Sequence, residues 1–339
     1  MNGRRISYDI KYNGTSIIAD IDPFVTGLSF TDNFSGSADD ITLNLADKNR
    51  QWIGSWMPKN GASLEAALII SEGWGSDKKV TKRNLGYFEI DETSGGGPPM
   101  AVQIKAVSIP QDTSLKGEEK SRSWENTNLK KVVTDVAKKN GLGVYFSGVE
   151  NPEYERVDQS KESDGAFLYR LTNEAGFALK IANKKVYIID EAKLESEDYV
   201  ATIKRTDSNI KKWDYKDTLN GVYKACRVKY TDPNKKKTFD KTFTPSKPPA
   251  TGKVLQVNEE VKSNDDAIRL AKKKLREVNK EATTVTISWA GLFPCHAGET
   301  IRLQEFNKLD GKYIITSLSG SVGNGSETTI NLRKCLEGY

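Results

Sequence analysis

Asp40-Ile41-Thr42-Leu43-Asn44-Leu45 alternates polar and apolar residues at every step. In an extended strand this puts Ile41, Leu43 and Leu45 on one face and Thr42 and Asn44 on the other. The same reading spreads outward. Ile6 to Tyr12 alternates, Asn13-Gly14 supplies a two-residue hairpin turn, and Thr15 to Ile21 reads as the returning strand. Leu28 to Asp32, Leu64 to Ile70, Asn84 to Asp91 and Ala101 to Val107 have strand length. Gly95-Gly96-Gly97-Pro98-Pro99 reads as a break through which neither neighbouring strand continues. Residues 1–109 are therefore expected to form a small β-barrel or sandwich.

From about residue 110 the period changes. Leu129, Val132, Val133, Val136 and Ala137 recur at helical spacing, with Asn128 placed to cap the start and Gly141 the end. A second helix begins near Ser163 and turns Phe167, Leu168, Leu171 and Ala175 inward before Gly176. Phe177 to Ile181 and Val186 to Ile189 form a hairpin across Asn183-Lys184-Lys185. Residues 110–195 thus read as an inserted α/β domain. Strands resume with Ala201 to Arg205, Gly221 to Tyr230 and Lys237 to Phe243, where Asp232-Pro233-Asn234 marks a turn. Pro245-Ser246-Lys247-Pro248-Pro249 is a linker-like break. A helix near residues 264–280 follows, with Ser263 and Asp266 at capping-box spacing and Ala267, Ile268, Ala271, Leu275 and Val278 as its apolar stripe. Thr283 to Trp289, Thr300 to Leu303, Tyr313 to Leu318 and Thr328 to Arg333 end the chain as strands. The expected fold is mainly β: two barrel domains, 1–109 and 196–339, flanking the α/β insert.

At 339 residues the chain exceeds what one core ordinarily supports. Its 37% hydrophobic and 29% charged residues describe a globular chain rather than a disordered one. No apolar run approaches the roughly 20 residues that span a bilayer, so membrane insertion is not expected. Met1 to Tyr8 has two basic residues but no apolar segment behind them, which predicts synthesis in the cytoplasm. A net charge of +5 arises from nearly balanced acids and bases and favours solubility over nucleic-acid binding.

Candidate chemistry is sparse. The single histidine, His296, adjoins Cys295, but neighbours in extended chain point to opposite faces, so a turn histidine beside a buried thiol is the expectation. Cys226, Cys295 and Cys335 are widely spaced and odd in number, which suits buried thiols and not a disulfide framework or a zinc site. Glycosidase chemistry needs only two carboxylates; Glu118 with Glu119, or Asp39 with Asp40, qualify by proximity, although solvated surface explains each. Gly95-Gly96-Gly97 lacks the following Lys-Ser/Thr of a phosphate loop. Lys235-Lys236-Lys237 and Lys272-Lys273-Lys274 lack interleaved aromatics; on the helix Lys272, Lys273 and Arg276 are expected to face away from the apolar stripe. Trp52, Trp56 and Trp74 suit either sugar stacking or core and interface anchoring. No catalytic, cofactor-binding or metal-binding residue is assigned, and the chain is read as a non-enzyme without a cofactor.

Three stretches together resemble the contractile-tail hub proteins of the late control protein D family. The first is Asp40 to Asp47 with Trp52, Trp56, Pro58, Gly61 and Leu64 to Ile70. The second is Gln159-Ser160-Lys161-Glu162-Ser163-Asp164-Gly165-Ala166-Phe167-Leu168, followed by Leu171 and Glu174-Ala175-Gly176. The third is the helix Asp265 to Val278 with Gly298 to Leu303 and Leu309 to Thr316. Ser317-Leu318-Ser319-Gly320 stands where members of the family often carry a histidine. The resemblance implies tail-tube-like barrels, a homotrimer and a place in the baseplate of a virion or tail particle. It also implies contact with the tail tube protein, central spike, wedge proteins, a LysM-containing tail protein and the tape measure protein, with DNA met only in transit. A tail-tip peptidoglycan hydrolase and a cell-wall carbohydrate-binding module are the two competing readings.

Overall fold

The computed structural model describes residues 4–72, 79–110, 115–233, 236–323 and 325–339. Met1 to Gly3, Trp74, and Asn234 and Lys235 of the expected turn and basic cluster lie outside the described residues. The chain is mainly β and divides into two compact units. Unit 1 is Met1–Asp190, Ala290–Phe293 and Leu318–Thr328; unit 2 is Glu191–Trp289, Pro294–Ser317 and Thr329–Tyr339.

Unit 1 opens with β1 (Arg4–Tyr12), β2 (Thr15–Ser16), α1 (Ile18–Ile21), β3 (Val25–Asn33), β4 (Asp40–Ala46), β5 (Ser63–Glu72), β6 (Lys79–Gly96) and β7 (Ala101–Val107). The strands are ordered β2-β1-β5-β6-β7-β4-β3, every pair antiparallel, and residues 318–323 lie next to β3. The alternation of β4 is obeyed: Ile41, Leu43 and Leu45 are buried with Ile10, Leu64, Leu68, Phe88, Ile90 and Ile104 in one core. The sheet curls far enough for the Tyr8 hydroxyl of β1 to donate to the Val322 carbonyl at 3.4 Å. Among the described residues no backbone pairing closes it into a barrel.

Two local expectations fail here. The strand returning after Asn13-Gly14 lasts only Thr15–Ser16, and β1 pairs along its length with β5 instead. Ile17, Ile18 and Ile21 have helical spacing, and Pro23, which has no N–H to donate, sits in the 3-10 turn that follows α1. The glycine run is the second. Gly95 and Gly96 continue β6, paired with Val102 and Ala101, and a Cβ on Gly95 would sit 2.8 Å from the Ala101 carbonyl. Glycine is what lets the two strands remain in register up to the turn.

The α/β part of unit 1 contains β8 (Lys120–Asn128), α2 (Leu129–Lys139), β9 (Gly143–Ser147), β10 (Glu153–Glu162), α3 (Asp164–Glu174), β11 (Ala178–Ala182) and β12 (Lys185–Ile189). Asn128 caps α2 by accepting from the Lys131 N–H, and Ser163 caps α3 by accepting from that of Ala166. β8 pairs with β10, while β11, β12 and β9 form a second sheet in which β9 runs parallel to β12. Val132, Val133 and Val136 of α2 and Phe167, Leu168 and Leu171 of α3 pack with Val186 and Ile188 as a separate core.

Unit 2 holds α4 (Glu191–Ser196), β13 (Ala201–Lys204), β14 (Ile210–Asp217), β15 (Ala225–Asp232), β16 (Lys237–Phe243), β17 (Val254–Val257), α5 (Asn264–Asn279), β18 (Thr283–Ala290), β19 (Thr300–Gln304), and parts of β20 (Gly311–Gly323) and β21 (Gly325–Lys334). Residues 221–224 precede β15 as a turn, with Gly221 at φ +74, and do not extend the strand. α5 packs on β15 and β16, burying Ala267, Ala271 and Leu275 against Cys226, Val228 and Phe239. Ile268 and Val278 are exposed, contrary to the expected stripe, because the three-stranded sheet β16-β15-β17 covers only a narrow strip of the helix. Arg276 also departs from expectation. It is largely buried, with its guanidinium on Glu195.

Candidate functional site

The carboxylate singled out near β4 is not a surface group. Asp39 is buried, and Lys180 reaches it from β11, with Nζ 3.0 Å from Asp39 Oδ2, 2.5 Å from Asp32 Oδ1 and 2.7 Å from the Asn33 carbonyl. The Asn33 N–H also donates to Asp39, at 2.8 Å. Burial pushes the Asp39 carboxyl up to about 6, against the pull of Lys180 and helped by Asp32. Burial works against the Lys180 charge, but Asp39 and Asp32 together hold it above its ordinary value. Two acids share one base, so the cluster carries one surplus negative charge when both are ionised.

The same seam is closed by hydroxyls. Leu179 N–H donates to Ser35 Oγ at 3.2 Å, while Ser108 Oγ donates to the Ile181 carbonyl at 2.8 Å and accepts from the Asp39 N–H at 3.0 Å. Asn183 Oδ1 then takes the Tyr87 N–H at 3.0 Å. Residues 179 and 181 point their backbone groups to one side, so the outer edge of β11 is satisfied by side chains instead of by another strand. Asp39 therefore joins two layers of the fold. Asp40 begins β4 beside it, and Glu118 and Glu119 are exposed, with Glu118 3.6 Å from Lys120.

Glu162-Ser163-Asp164 acts as a set of fasteners. Glu162 binds Arg170 through both oxygens, at 2.6 and 3.2 Å, and Ser163 caps α3. Asp164 is fully buried in the first turn, bound by Arg122, by Asn140 Nδ2 at 2.8 Å and by Gln159 Nε2 at 2.9 Å. A buried carboxylate persists where its charge is paired and its lone pairs are filled. Gly165 must be small, since a Cβ there would lie 2.5 Å from the Leu115 carbonyl.

Unit 2 has its own buried ionic cluster. Glu195 Oε1 takes Arg333 Nη1 at 2.5 Å and Arg276 Nη2 at 2.6 Å, and Oε2 accepts from the Leu336 N–H at 2.9 Å. Arg333 Nη2 also reaches Glu191, at 2.7 Å. Burial opposes the Arg333 charge, and Glu195 and Glu191 hold it above its usual range nonetheless. Burial, then Glu195, pushes the neighbouring Cys335 thiol up to about 12, which leaves it a poor nucleophile at neutral pH.

Cys295 is buried and His296 is exposed, the latter's backbone N–H donating to Glu299 Oε2 at 2.7 Å. None of the three cysteines is in a disulfide. Among the described residues no group of three or more His, Cys, Asp or Glu side chains is gathered as a metal site. Trp52 is buried and Trp56 half-buried, stacked edge-on with each other and with Phe24 at 5.5–6.5 Å, an anchoring arrangement rather than a flat sugar platform. In the helical lysine run, Lys274 pairs with Glu259 at 2.5 Å. Sequence reasoning missed Lys180, Arg122, Glu195 and Arg333. A lone lysine inside Ala178-Leu179-Lys180-Ile181-Ala182 is the one signal that was available.

The sequence profile of the phage tail baseplate hub (GPD) family matches residues 104–326, two of the three quoted stretches included. This chain belongs to that family. The hub-family chain is 28% identical over 186 residues to the probable baseplate hub protein of Escherichia phage P2, a match covering 54% of this chain and 44% of the relative. The alignment thus spans less than half of that relative's length. In fold the hub-family chain is similar to the tail protein of Neisseria meningitidis MC58, with a TM-score of 0.69 at 14% identity over 97% of this chain and 96% of that one. It is equally similar to the 43 kDa tail protein of prophage MuSo2 from Shewanella oneidensis, at 0.70 and 14% over 97% and 98%.

Proposed function

We propose that this chain is the structural hub of a contractile-tail baseplate, joining the end of the tail tube to the central spike and wedge proteins in a phage, bacteriocin or injection particle. The family match over residues 104–326 carries this reading. Three chains form the hub. Each contributes two tail-tube-like barrels, 1–109 and 196–339, separated by the 110–195 insert, so that a trimer presents six similar units to a six-fold tube. The curled sheet of unit 1 and the strand β14, which among the described residues pairs only with β18 at one end of its sheet, support this reading. A LysM-containing tail protein and the tape measure protein are further neighbours, and DNA passes without being read.

The role is mechanical. The buried acids Asp39, Asp164 and Glu195 each fasten one part of the fold to another. Mass photometry of the purified chain should give a trimer, and negative-stain images should place it at tail-tube ends. A strict monomer that never joins tube ends refutes the hub reading. Clearing in a peptidoglycan zymogram refutes the purely structural one.

A further inference from the structure

The second sheet of unit 1 treats its two edges differently. The β11 edge is sealed by Ser35 and Ser108. The opposite edge is β9, Gly143-Val144-Tyr145-Phe146-Ser147, which among the described residues pairs only with β12. Exposed edges are ordinarily blunted by a charge, a proline or a bulge. β9 has no charged residue and no proline, and its register with β12 is unbroken. Val144 and Phe146 pack against the core, which fixes the strand, while Tyr145 on the other face is 54% exposed.

What borders this edge is basic. α2 packs against β9, and Lys130 Nζ stands 5.4 Å from the Phe146 ring centre, so the flank of α2 bearing Lys130 lies beside the strand. At about 100° per residue, Thr134, Lys138 and Lys131 continue from that flank to the crest of the helix. Asp135 falls on the far flank, held by Trp124 Nε1 at 3.0 Å and Lys139 at 3.1 Å. Lys131 and Lys138 are exposed, and among the described residues no carboxylate pairs with Lys130, Lys131 or Lys138. Glu150 is the single acid in residues 141–152.

We propose that β9 receives an extended, acidic segment of a partner protein by strand addition, the partner's backbone completing the sheet and its carboxylates meeting Lys130, Lys131 and Lys138. Main-chain hydrogen bonds supply affinity in such a union, and the flanking charges select the partner. A second copy of this chain suits the edge poorly, because it brings an equally lysine-rich helix to the same border. The inference does not depend on the hub reading, since it rests on the β9 edge and the lysines of α2.

The test uses the full chain with two synthetic peptides of equal length, one alternating glutamate with valine and one alternating lysine with valine. Amide hydrogen exchange across residues 143–147 is the readout. The glutamate peptide should slow exchange there, and its affinity should fall at least about tenfold in a Lys130→Glu, Lys131→Glu double variant and again at high salt. Tyr145→Glu, which sets a like charge against the peptide's carboxylates without touching the core, should abolish the protection while the unfolding curve stays put. Equal protection by the lysine peptide overturns the proposal, as does unchanged exchange at millimolar glutamate peptide. Protection that appears in the free chain and grows with its own concentration also overturns it, by assigning the edge to a second copy.

Discussion

Acidification should strengthen unit 1 at Asp39, the reverse of what a salt-bridged carboxylate ordinarily does. The Asp39 carboxyl sits at about 6 in the fold against an unperturbed 3.8, because burial outweighs the attraction of Lys180. The folded state therefore holds this proton more tightly than the unfolded chain. Its stabilising contribution is complete only below the unfolded value of 3.8 and is lost as pH rises through about 6. A difference of roughly two pH units corresponds to about 3 kcal/mol. In charge terms, protonated Asp39 leaves Asp32 and Lys180 as a balanced pair, and ionised Asp39 adds the surplus charge. Asp39→Asn removes the titration yet keeps an acceptor for the Asn33 N–H. Urea unfolding of both proteins at about pH 7.5 and about pH 4.5 isolates the effect, since other acids cancel in the difference. The wild-type chain should gain about 2 kcal/mol on the variant at the lower pH. No relative change, or a relative loss, refutes the account, and an NMR titration of the Asp39 carboxyl checks the midpoint directly.

Lys180→Met should move that midpoint further up, since burial and the repulsion of Asp32 are then opposed only by the Asn33 N–H; the same NMR titration reads it. Gly320→Ala should destabilise unit 1 by about 1–3 kcal/mol in urea unfolding, because the added Cβ meets the Phe30 ring at 2.4 Å in a packed core. Ser163→Ala should cost about 1 kcal/mol through loss of the α3 cap, visible as faster amide exchange in the first turn of that helix. Glu195→Ala takes the carboxylate from the largely buried Arg276 and leaves Arg333 with Glu191 alone, and should cost about 3–5 kcal/mol, seen as early proteolysis of unit 2.

Elements with a single strong local signal were legible in the sequence. β4 alternates strictly, and α2, α3 and α5 carry side-chain caps at Asn128, Ser163 and Ser263, each of which accepts from the backbone N–H three residues on. β8 and β10 were not read, because their two-stranded ribbon buries little and its residues look like solvated chain. β14 is nearly all exposed and β17 is four residues long, so neither shows an apolar period. Ile268 and Val278 continue an apolar stripe on α5 that the covering sheet is too narrow to bury. The ionic clusters were invisible for a different reason. Glu195 is 138 residues from Arg333, and Lys180 is 141 from Asp39, so nothing local distinguishes these charges from surface ones.

The serine seal on β11 asks very little of what it holds. Ser35 and Ser108 need one N–H and one carbonyl two positions apart on an extended edge, which any strand provides whatever its side chains. Lys180 on β11 and Asn183 just beyond it make the joint particular to this chain. A different α/β module whose edge strand brings a lysine and a following asparagine to the matching steps would meet the same partners, so this socket permits the first sheet to stay constant while the module it carries is exchanged.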